Sequence, residues 1–386
     1  MKTRLIGMNA DELGKVARET GLPKFAAGQM ARWLYVKKAG DIEMMTDISK
    51  EGRQRLAERY EVGVTGYSDL QISSDGTKKY LFPVLGEHRS PSGDRLERGA
   101  VEAVMIPDGD RSTLCVSSQS GCRMGCRFCM TGRQGFHGHL SAADIISQFL
   151  AVDESDSLTN AVFMGMGEPL DNYGEVMRAI EILTAPWGFA WSPKRITLST
   201  VGVLPALRRF LDESRCHLAV SLHSPFSDER LSVMPVEKAY PIRDVVDLIR
   251  EYDFTGQRRV SFEYTMFSGF NDSRRHADAL IRLLSGLECR VNLIRFHSIP
   301  DFPYAASPDL IIENFRDRLN RAGITATIRA SRGEDILAAC GMLAGRHGTG
   351  KNADSGEESA GKSVAGKSVA EKVAAEKTAA EKEDES

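Results

Sequence analysis

The sequence predicts an α/β chain: a partial (β/α)6 barrel, preceded by a small helical accessory domain and followed by a disordered tail. Three observations lead there. From Val101 onward, short apolar runs alternate with amphipathic helical stretches, the pattern of a parallel sheet with crossover helices. Residues 10–60 carry helical periodicity without a strand-like run. From about Gly348 the composition narrows to Lys, Ala, Glu and Ser, too poor in apolar residues to build a core.

Taken in order, residues 1–60 read as a helical, RNA-binding accessory domain. A short helix opens at Ala10-Asp11-Glu12-Leu13, and a second covers Ala26 to Lys38 with Met30, Trp33, Leu34 and Val36 on its buried stripe. Residues 61–98 read as a β-rich connector. The turn-forming Ser73-Ser74-Asp75-Gly76-Thr77 separates two half-buried runs there, and 85–98 form an exposed loop. Residues 99–347 hold the barrel. Its expected strands are Thr113–Ser117, Asn160–Met164, Arg195–Thr200, His217–Leu222, Val260–Met266, Arg290–Arg295 and Ala326–Arg329. Its expected helices are Ala142–Val152, Tyr173–Leu183, Leu204–Asp212, Ile242–Tyr252, Arg274–Leu284 and Pro308–Ala322. Residues 348–386 form the tail, where lysines recur every five residues and so gather on no single helical face.

The whole chain limits what the protein can be. No apolar run approaches the ~20 residues of a membrane span, and the first residues never make the apolar stretch of a signal peptide. Seven cysteines in 386 residues do not make a disulfide scaffold, so a reducing, cytoplasmic setting is expected. The net charge of −3 resides in the tail, and the remainder balances to zero. Bulk charge therefore argues neither for nor against nucleic acid, and any RNA contact must come from local arginines.

The chemistry-bearing run is Cys122-Arg123-Met124-Gly125-Cys126-Arg127-Phe128-Cys129, directly after the first barrel strand. Three thiolates from one loop can hold three irons of a 4Fe-4S cluster and leave the fourth open to a small molecule. A structural zinc site is the alternative, but it calls for a fourth ligand and paired CxxC spacings, and no second CxxC follows. The CxxxCxxC spacing, with an aromatic before the last cysteine, resembles the signature of radical S-adenosylmethionine (SAM) enzymes. That resemblance implies that the open iron takes the amino and carboxylate groups of SAM, and that reductive cleavage gives a 5′-deoxyadenosyl radical.

Further motifs fall at the ends of later strands, where parallel barrels collect their chemistry. Gly165-Met166-Gly167-Glu168-Pro169-Leu170 follows the second strand, with glycines that let backbone approach a ligand and a carboxylate for an ammonium group. Ser199-Thr200-Val201-Gly202 and Ser221-Leu222-His223-Ser224 end the third and fourth strands. By itself His223 reads more readily as a hydrogen-bonded structural histidine than as a ligand contact. Cys216 and Cys289 read as small buried hydrophobes. Cys340, in Ala338-Ala339-Cys340-Gly341, has small neighbours that leave room for a bulky partner, which suits a reactive thiol.

Taken together, the Glu102–Pro107 and Thr113–Cys122 runs, Gly165–Asn172, Ser221–His223 and the Arg329–Gly341 segment resemble the radical-SAM RNA adenine methyltransferases of dual specificity. The resemblance extends over roughly residues 20–345. It implies methylation of C2 of one adenine in 23S rRNA and one in tRNA, with two SAM per turnover. It assigns Cys122, Cys126 and Cys129 to the cluster, and Gly167, Glu168, Ser199, Ser221, Leu222 and His223 to SAM. Cys340 is implied as the methyl carrier, Glu102 as the acceptor of the ring proton, and Cys115 as the thiol that releases product by forming a disulfide with Cys340. A low-potential electron donor of flavodoxin or ferredoxin type and a monomeric enzyme follow as further implications. Two positions depart from the family pattern: Met130 stands for the usual Ala, and His297 for the usual SAM-contacting Asn, with His297 expected to keep that SAM contact because an imidazole can still donate or accept one hydrogen bond. A sibling reading is methylation of adenine C8, which confers antibiotic resistance. A reading from another class is a non-catalytic metal-containing RNA-binding module, against which Glu102, Cys115 and Cys340 speak because binding alone needs none of them.

Overall fold

The structure, a computed structural model, describes residues 2–89, 95–254, 256 and 258–344. The chain begins with β1 (Thr3–Arg4), which pairs in parallel with β2 (Tyr60–Glu61) and so closes the N-terminal helical unit on itself. Its first helix, Ala10–Glu19, starts at a capping box: the Asn9 side chain accepts the Glu12 N–H at 3.1 Å, and the Glu12 carboxylate accepts the Asn9 N–H at 2.9 Å. The second, Ala26–Ala31, widens into a π turn at Arg32–Val36, where the Lys37 N–H reaches back to the Arg32 carbonyl at 2.9 Å. The expected stripe breaks at that turn. Met30 and Leu34 are buried, but the extra residue in the turn swings Tyr35 inward and leaves Val36 55% exposed. Tyr35 packs its ring on Trp187 with centroids 5.9 Å apart and donates its hydroxyl to the Met8 carbonyl at 2.5 Å, which seats the helical unit on the barrel. Arg4 adds a polar strut to Asp144 at 2.5 Å.

One ten-stranded sheet organises the rest. β3 (Asp69–Ile72), β4 (Lys78–Arg89), β5 (Arg95–Asp108) and β6 (Arg111–Cys115) form an antiparallel run. A short hairpin, β7 (Gln119–Gly121) with β8 (Phe136–His139), follows outside that sheet. Then come β9 (Asn160–Phe163), β10 (Ile196–Thr200), β11 (His217–Ser221), β12 (Val260–Met266), β13 (Arg290–Arg295) and β14 (Thr325–Ile328). The seven strands β6, β9, β10, β11, β12, β13 and β14 lie in parallel and in sequence order, each step crossed by a helix on the outer face. Because β5 already occupies the free edge of β6, the barrel stays open between β6 and β14. The six expected helices are present within two residues of their expected ends, from Ala142–Ala151 to Asp309–Arg321.

Of residues 85–98, expected as an exposed loop, 85–89 and 95–98 instead continue the sheet: β4 runs to Arg89 and β5 begins at Arg95. The Gly and Pro content that suggested a loop is concentrated in 90–94, which lies outside the described residues, as does the tail from 345 onward. The strands of the 61–98 connector are thus continuous with the barrel sheet. A helix at Ser227–Val233 and a 3-10 turn at Pro235–Lys238, absent from the sequence reading, fill the space behind β10 and β11.

Candidate active site

The C-terminal ends of six of the seven parallel strands, β9 to β14, open into one cleft, which the cysteine loop after β7 also lines. Its lining includes Cys122, Cys126, Cys129, Gly167, Glu168, Ser199, Ser221, His223, Glu263, Arg329 and Cys340. Residues more than 200 positions apart in the sequence meet there because each parallel strand delivers its following loop to the same end of the sheet.

The cysteine loop leaves β7 and returns through β8. Gly121 sits at φ +72°, where an added Cβ would fall 1.9 Å from the Gly135 carbonyl oxygen, and the Cys122 N–H donates to that same oxygen at 2.8 Å. The loop is therefore pinched shut at its base. Its far side rests on the Ser227–Val233 helix, with the Arg127 N–H donating to the Val233 carbonyl at 2.9 Å. Burial pushes the Cys122 thiol up to about 12 and the Cys126 thiol well above its ordinary value, with the neighbouring cysteines adding to the shift at both. As free thiols these two would be poor ligands. Coordination to iron would supply the positive charge that makes buried thiolates stable.

Gly167, at φ +101°, lies so close to Gln119 that a Cβ would meet the Gln119 Cβ at 2.5 Å. Glu168 follows it, 3% exposed, and accepts from the Thr200 hydroxyl at 2.6 Å, the Val201 N–H at 2.9 Å and the Leu170 N–H at 3.1 Å. Burial nonetheless raises its carboxyl to about 7, against the pull of those three donors. His223 occupies the left-handed region at φ +55°. Three bonds hold it there: its N–H to the Glu263 carbonyl at 3.3 Å, its carbonyl from the Asn271 amide at 2.6 Å, and its Nδ1 accepting the Thr265 N–H at 2.9 Å. An Nδ1 that accepts leaves the proton on Nε2, and burial followed by the nearby Arg230 lowers the ring to about 3, so the imidazole is a neutral donor.

Leu222 is not part of the cleft. Its side chain is fully buried in the core, its N–H goes to the Glu263 carbonyl at 3.0 Å, and its carbonyl accepts Arg230 at 3.1 Å. His297 also lies off the cleft lining, with Nε2 3.1 Å from the Ser331 hydroxyl and Nδ1 3.9 Å from Glu334. In place of an amide reaching toward a ligand, this chain has an imidazole tied to the Cys340 segment.

Cys340 is exposed to the solvent of the cleft, yet protein surrounds it on most sides, and burial raises its thiol despite the opposing Arg329. The Gly341 carbonyl accepts the Met130 N–H at 2.8 Å, so Cys340 sits one residue from a direct tie to the end of the cluster loop. Cys115, buried at the end of β6, has its thiol pushed up to about 12 by burial and, next, by Cys340 itself. The two cysteines are free thiols here. Glu102 faces a neighbouring pocket instead, where it meets Lys79 at 3.3 Å and accepts the Ala344 N–H at 2.7 Å. Met342 and Ala344 line that same pocket.

Comparison with known proteins bears directly on this arrangement. Residues 116–280 match the Radical SAM superfamily, and residues 3–62 match the ribosomal RNA large subunit methyltransferase N-terminal domain. A probable dual-specificity RNA methyltransferase RlmN of Porphyromonas gingivalis is 58% identical over 92% of this chain and 99% of its own. The chain belongs to the RlmN family. The dual-specificity RNA methyltransferase RlmN of Jannaschia sp. is 40% identical over 88% of this chain and 89% of its own. The crystal structure of a radical SAM methyltransferase from Sphaerobacter thermophilus superposes with a TM-score of 0.79 at 38% identity, covering 88% of this chain and 99% of that one.

The cleft of this RlmN-family chain fits the cluster and SAM that a radical-SAM protein carries. Among the described residues no three His, Cys, Asp or Glu side chains converge closely enough for a single ion, whereas a cubane places each cysteine on a different iron. Glu263 on β12 is 4% exposed, and its Oε1 accepts Asn292 at 2.7 Å and Ser261 at 3.0 Å, but its buried Oε2 has no partner. Such an oxygen in a cleft wall calls for a ligand donor. Sequence reasoning passed over Glu263, because a lone Glu within a strand gives no signal. It also missed Asn271, which props His223, and the wholly buried Arg230. The Arg230 guanidinium pairs with Glu237 and donates to the carbonyls of Leu222 at 3.1 Å, Val201 at 2.9 Å and Ser221 at 3.0 Å, lacing together the ends of β10 and β11.

Proposed function

We propose that this chain methylates C2 of one adenine in 23S rRNA and one in tRNA, with Cys340 as the methyl carrier. The observation that carries the reading is the 2.8 Å bond from the Met130 N–H to the Gly341 carbonyl, which keeps Cys340 beside the cluster cysteines in one cleft. The 4Fe-4S cluster and SAM, when bound, supply reductive C–S cleavage and with it the power to abstract hydrogen from an unactivated methyl group. Cys122, Cys126 and Cys129 hold three irons, while Glu168, the backbone at Gly167, Ser199, Ser221 and the neutral Nε2–H of His223 orient SAM.

Cys340 serves as a sulfur nucleophile that receives a methyl group from one SAM, and a second SAM is consumed in turning that carbon into the group that joins adenine. The electron-poor ring carbon at C2 resists an electrophilic methyl but accepts a carbon radical. Glu102 takes the ring proton once the Ala344 N–H releases its carboxylate. The odd electron left on the ring passes to the external one-electron carrier, and Cys115, as the thiolate, then attacks the Cys340 sulfur. The S–S bond forms, the S–CH2 bond breaks with its electron pair on carbon, and that carbon takes up a proton to become the methyl group. An external thiol reduces the disulfide before the next turnover. Because burial holds the Cys115 thiol near 12, its proton must be removed before the attack. An external low-potential donor of flavodoxin or ferredoxin type, a monomeric state and a cytoplasmic setting complete the proposal. No helix among the described residues is long and apolar enough to cross a membrane.

Mass spectrometry of nucleosides from 23S rRNA and tRNA, in cells with and without the gene, tests it. The expected result is 2-methyladenosine that depends on the gene in both RNAs. Gene-dependent 8-methyladenosine would assign the chain to the C8 sibling, and no change at all would remove the reading.

A further inference from the structure

The β3–β4 turn, Ser73 to Thr77, takes no part in the reaction above, yet it binds the segment that carries Cys340. That segment is held at both ends. Beyond Cys340, the Gly341 carbonyl accepts Met130, the Leu343 carbonyl accepts the Thr131 hydroxyl at 2.7 Å, and the Ala344 N–H donates to Glu102. Before Cys340 the holds come from the turn. Asp335 accepts the Ser73 hydroxyl at 2.6 Å on one carboxylate oxygen and the Ser74 N–H at 3.0 Å on the other. Asp75 reaches in the opposite sense and accepts the Gly333 N–H at 3.1 Å, while its second oxygen accepts the Thr77 N–H at 2.9 Å and stiffens the turn.

The chain between these anchors is not a conformation it would keep unaided. Gly333 at φ +62°, Leu337 at φ +53° and Gly341 at φ +84° all lie in the left-handed region. Leu337 is a non-glycine residue there and is 56% exposed, so core packing does not hold it. The Gly333 site also admits no side chain, since a Cβ would fall 2.9 Å from the Thr77 methyl. Turn and segment are built to fit each other. Hydrogen bonds to ionised carboxylates are the stronger kind, which suits a tether at the surface.

We propose that Ser73, Asp75 and Asp335 form a clasp through which the β3–β4 hairpin positions Cys340, making these three positioning residues for the methylation. This rests on Cys340 as the methyl carrier. The carrier sulfur must face a methyl donor, an adenine ring and Cys115 in turn, and misplacement of about 1 Å can lower a rate by about 100-fold. A segment clasped at one end and bonded to the cluster loop at the other keeps Cys340 within that tolerance while Ala344 and Met342 move away from Glu102.

The test uses full-length, cluster-loaded protein and the variants Asp335→Ala, Asp335→Asn and Ser73→Ala. Iodoacetamide labelling of Cys340 is measured by peptide mass spectrometry against Cys289 on the same chain, which lies between the Arg274–Leu284 helix and β13 and serves as an internal reference. The alanine variants are expected to raise the Cys340-to-Cys289 ratio by roughly 3–10-fold, the loosening that one or two lost hydrogen bonds produce. Asp335→Asn, which keeps an acceptor for Ser73, falls between them and the unmodified protein. Methylation should lose kcat at unchanged KM for SAM. An unchanged labelling ratio in both alanine variants overturns the clasp, as does an activity loss without a change in the ratio. A raised ratio in protein whose Cys340 is never found methylated would retire the carrier reading and leave the clasp standing.

Discussion

At Glu168, burial and hydrogen bonding pull in opposite directions. Three donors favour the carboxylate, yet desolvation wins and holds the carboxyl near 7. The consequence for stability has a definite sign. The pKa is raised on folding, so the neutral form stabilises the protein fully below the ordinary carboxylate range, and that contribution is lost as pH rises through about 7. Binding runs the other way, because an ammonium group needs the anion. SAM affinity should therefore strengthen as pH rises from 6 toward 8, by up to about tenfold per pH unit below the pKa. Equilibrium dialysis with labelled SAM checks this, and Glu168→Gln should bind more weakly with a flat profile. A wild-type profile that stays flat would show that Glu168 does not meet the ammonium. The proposed roles of Cys340 and Cys115 allow a second prediction. Cys340→Ala should give neither methylated RNA nor protein-bound methyl, whereas Cys115→Ala should accumulate protein covalently joined to RNA, visible as a nuclease-sensitive shift on a denaturing gel. Silent inactivation of both would count against the carrier-and-resolver pairing.

Between neighbouring strands, the site depends on elements that do no chemistry. β10 and β11 pair Ser199 with Ala219 and Thr200 with Val220, which puts Ser199 and Ser221 on one face with Ser221 two residues further along, but beyond the last pair the ladder ends and the carbonyls of Val201, Ser221 and Leu222 need other donors. Arg230 supplies them. The Ser227–Val233 helix exists in that place to deliver this guanidinium, and Glu237 from the following 3-10 turn balances its charge while also accepting the Ile242 N–H at 3.0 Å. Arg230→Met leaves Glu237 buried and unpaired, so about 3–5 kcal/mol of stability should be lost. Urea unfolding of Arg230→Met against the double variant Arg230→Met/Glu237→Leu measures it, because removing both charges should recover much of the loss. If the double variant is as unstable as the single one, the carbonyl bonds rather than the ion pair hold these strand ends.

Across the whole molecule, the cluster loop is a surface insertion on a barrel that has its own core. The apolar interior runs from Leu5 in the helical unit through Leu198 and Phe262 to Leu319, and Cys126 packs instead on a separate small apolar group of Val201, Val233, Met234 and Val236. Removing the cluster should thus cost function more than fold. Anaerobically reconstituted protein should carry about four irons per chain, and Cys126→Ala should lose them, with the far-ultraviolet circular dichroism of the barrel retained. A zinc content of one per chain with no visible absorbance would contradict the cluster assignment, and collapse of the dichroism would make the loop a structural keystone.

How much of this was legible without coordinates follows from the range of each signal. Strand and helix alternation, the cysteine spacing and the Gly167-Glu168 turn are local patterns, so the open parallel barrel, the cysteine loop and the placing of Ser199, Ser221 and His223 at strand ends could be read from residue order. The reach of β4 to Arg89 and of β5 back to Arg95 was hidden, because pairing between two strands outweighs local preference. The inward turn of Tyr35 was hidden too, since a π turn breaks the 3.6-residue period that sequence reasoning assumes. That Leu222 faces the core, that His297 bonds Ser331 and that Glu102 looks into a separate pocket became visible once the chain was folded. Folding alone brought Asp335 to Ser73 and Arg230 to the ends of two strands. Those partnerships join residues with no periodic relation, and their energy comes from satisfying buried or strained backbone groups that exist only once the sheet has formed.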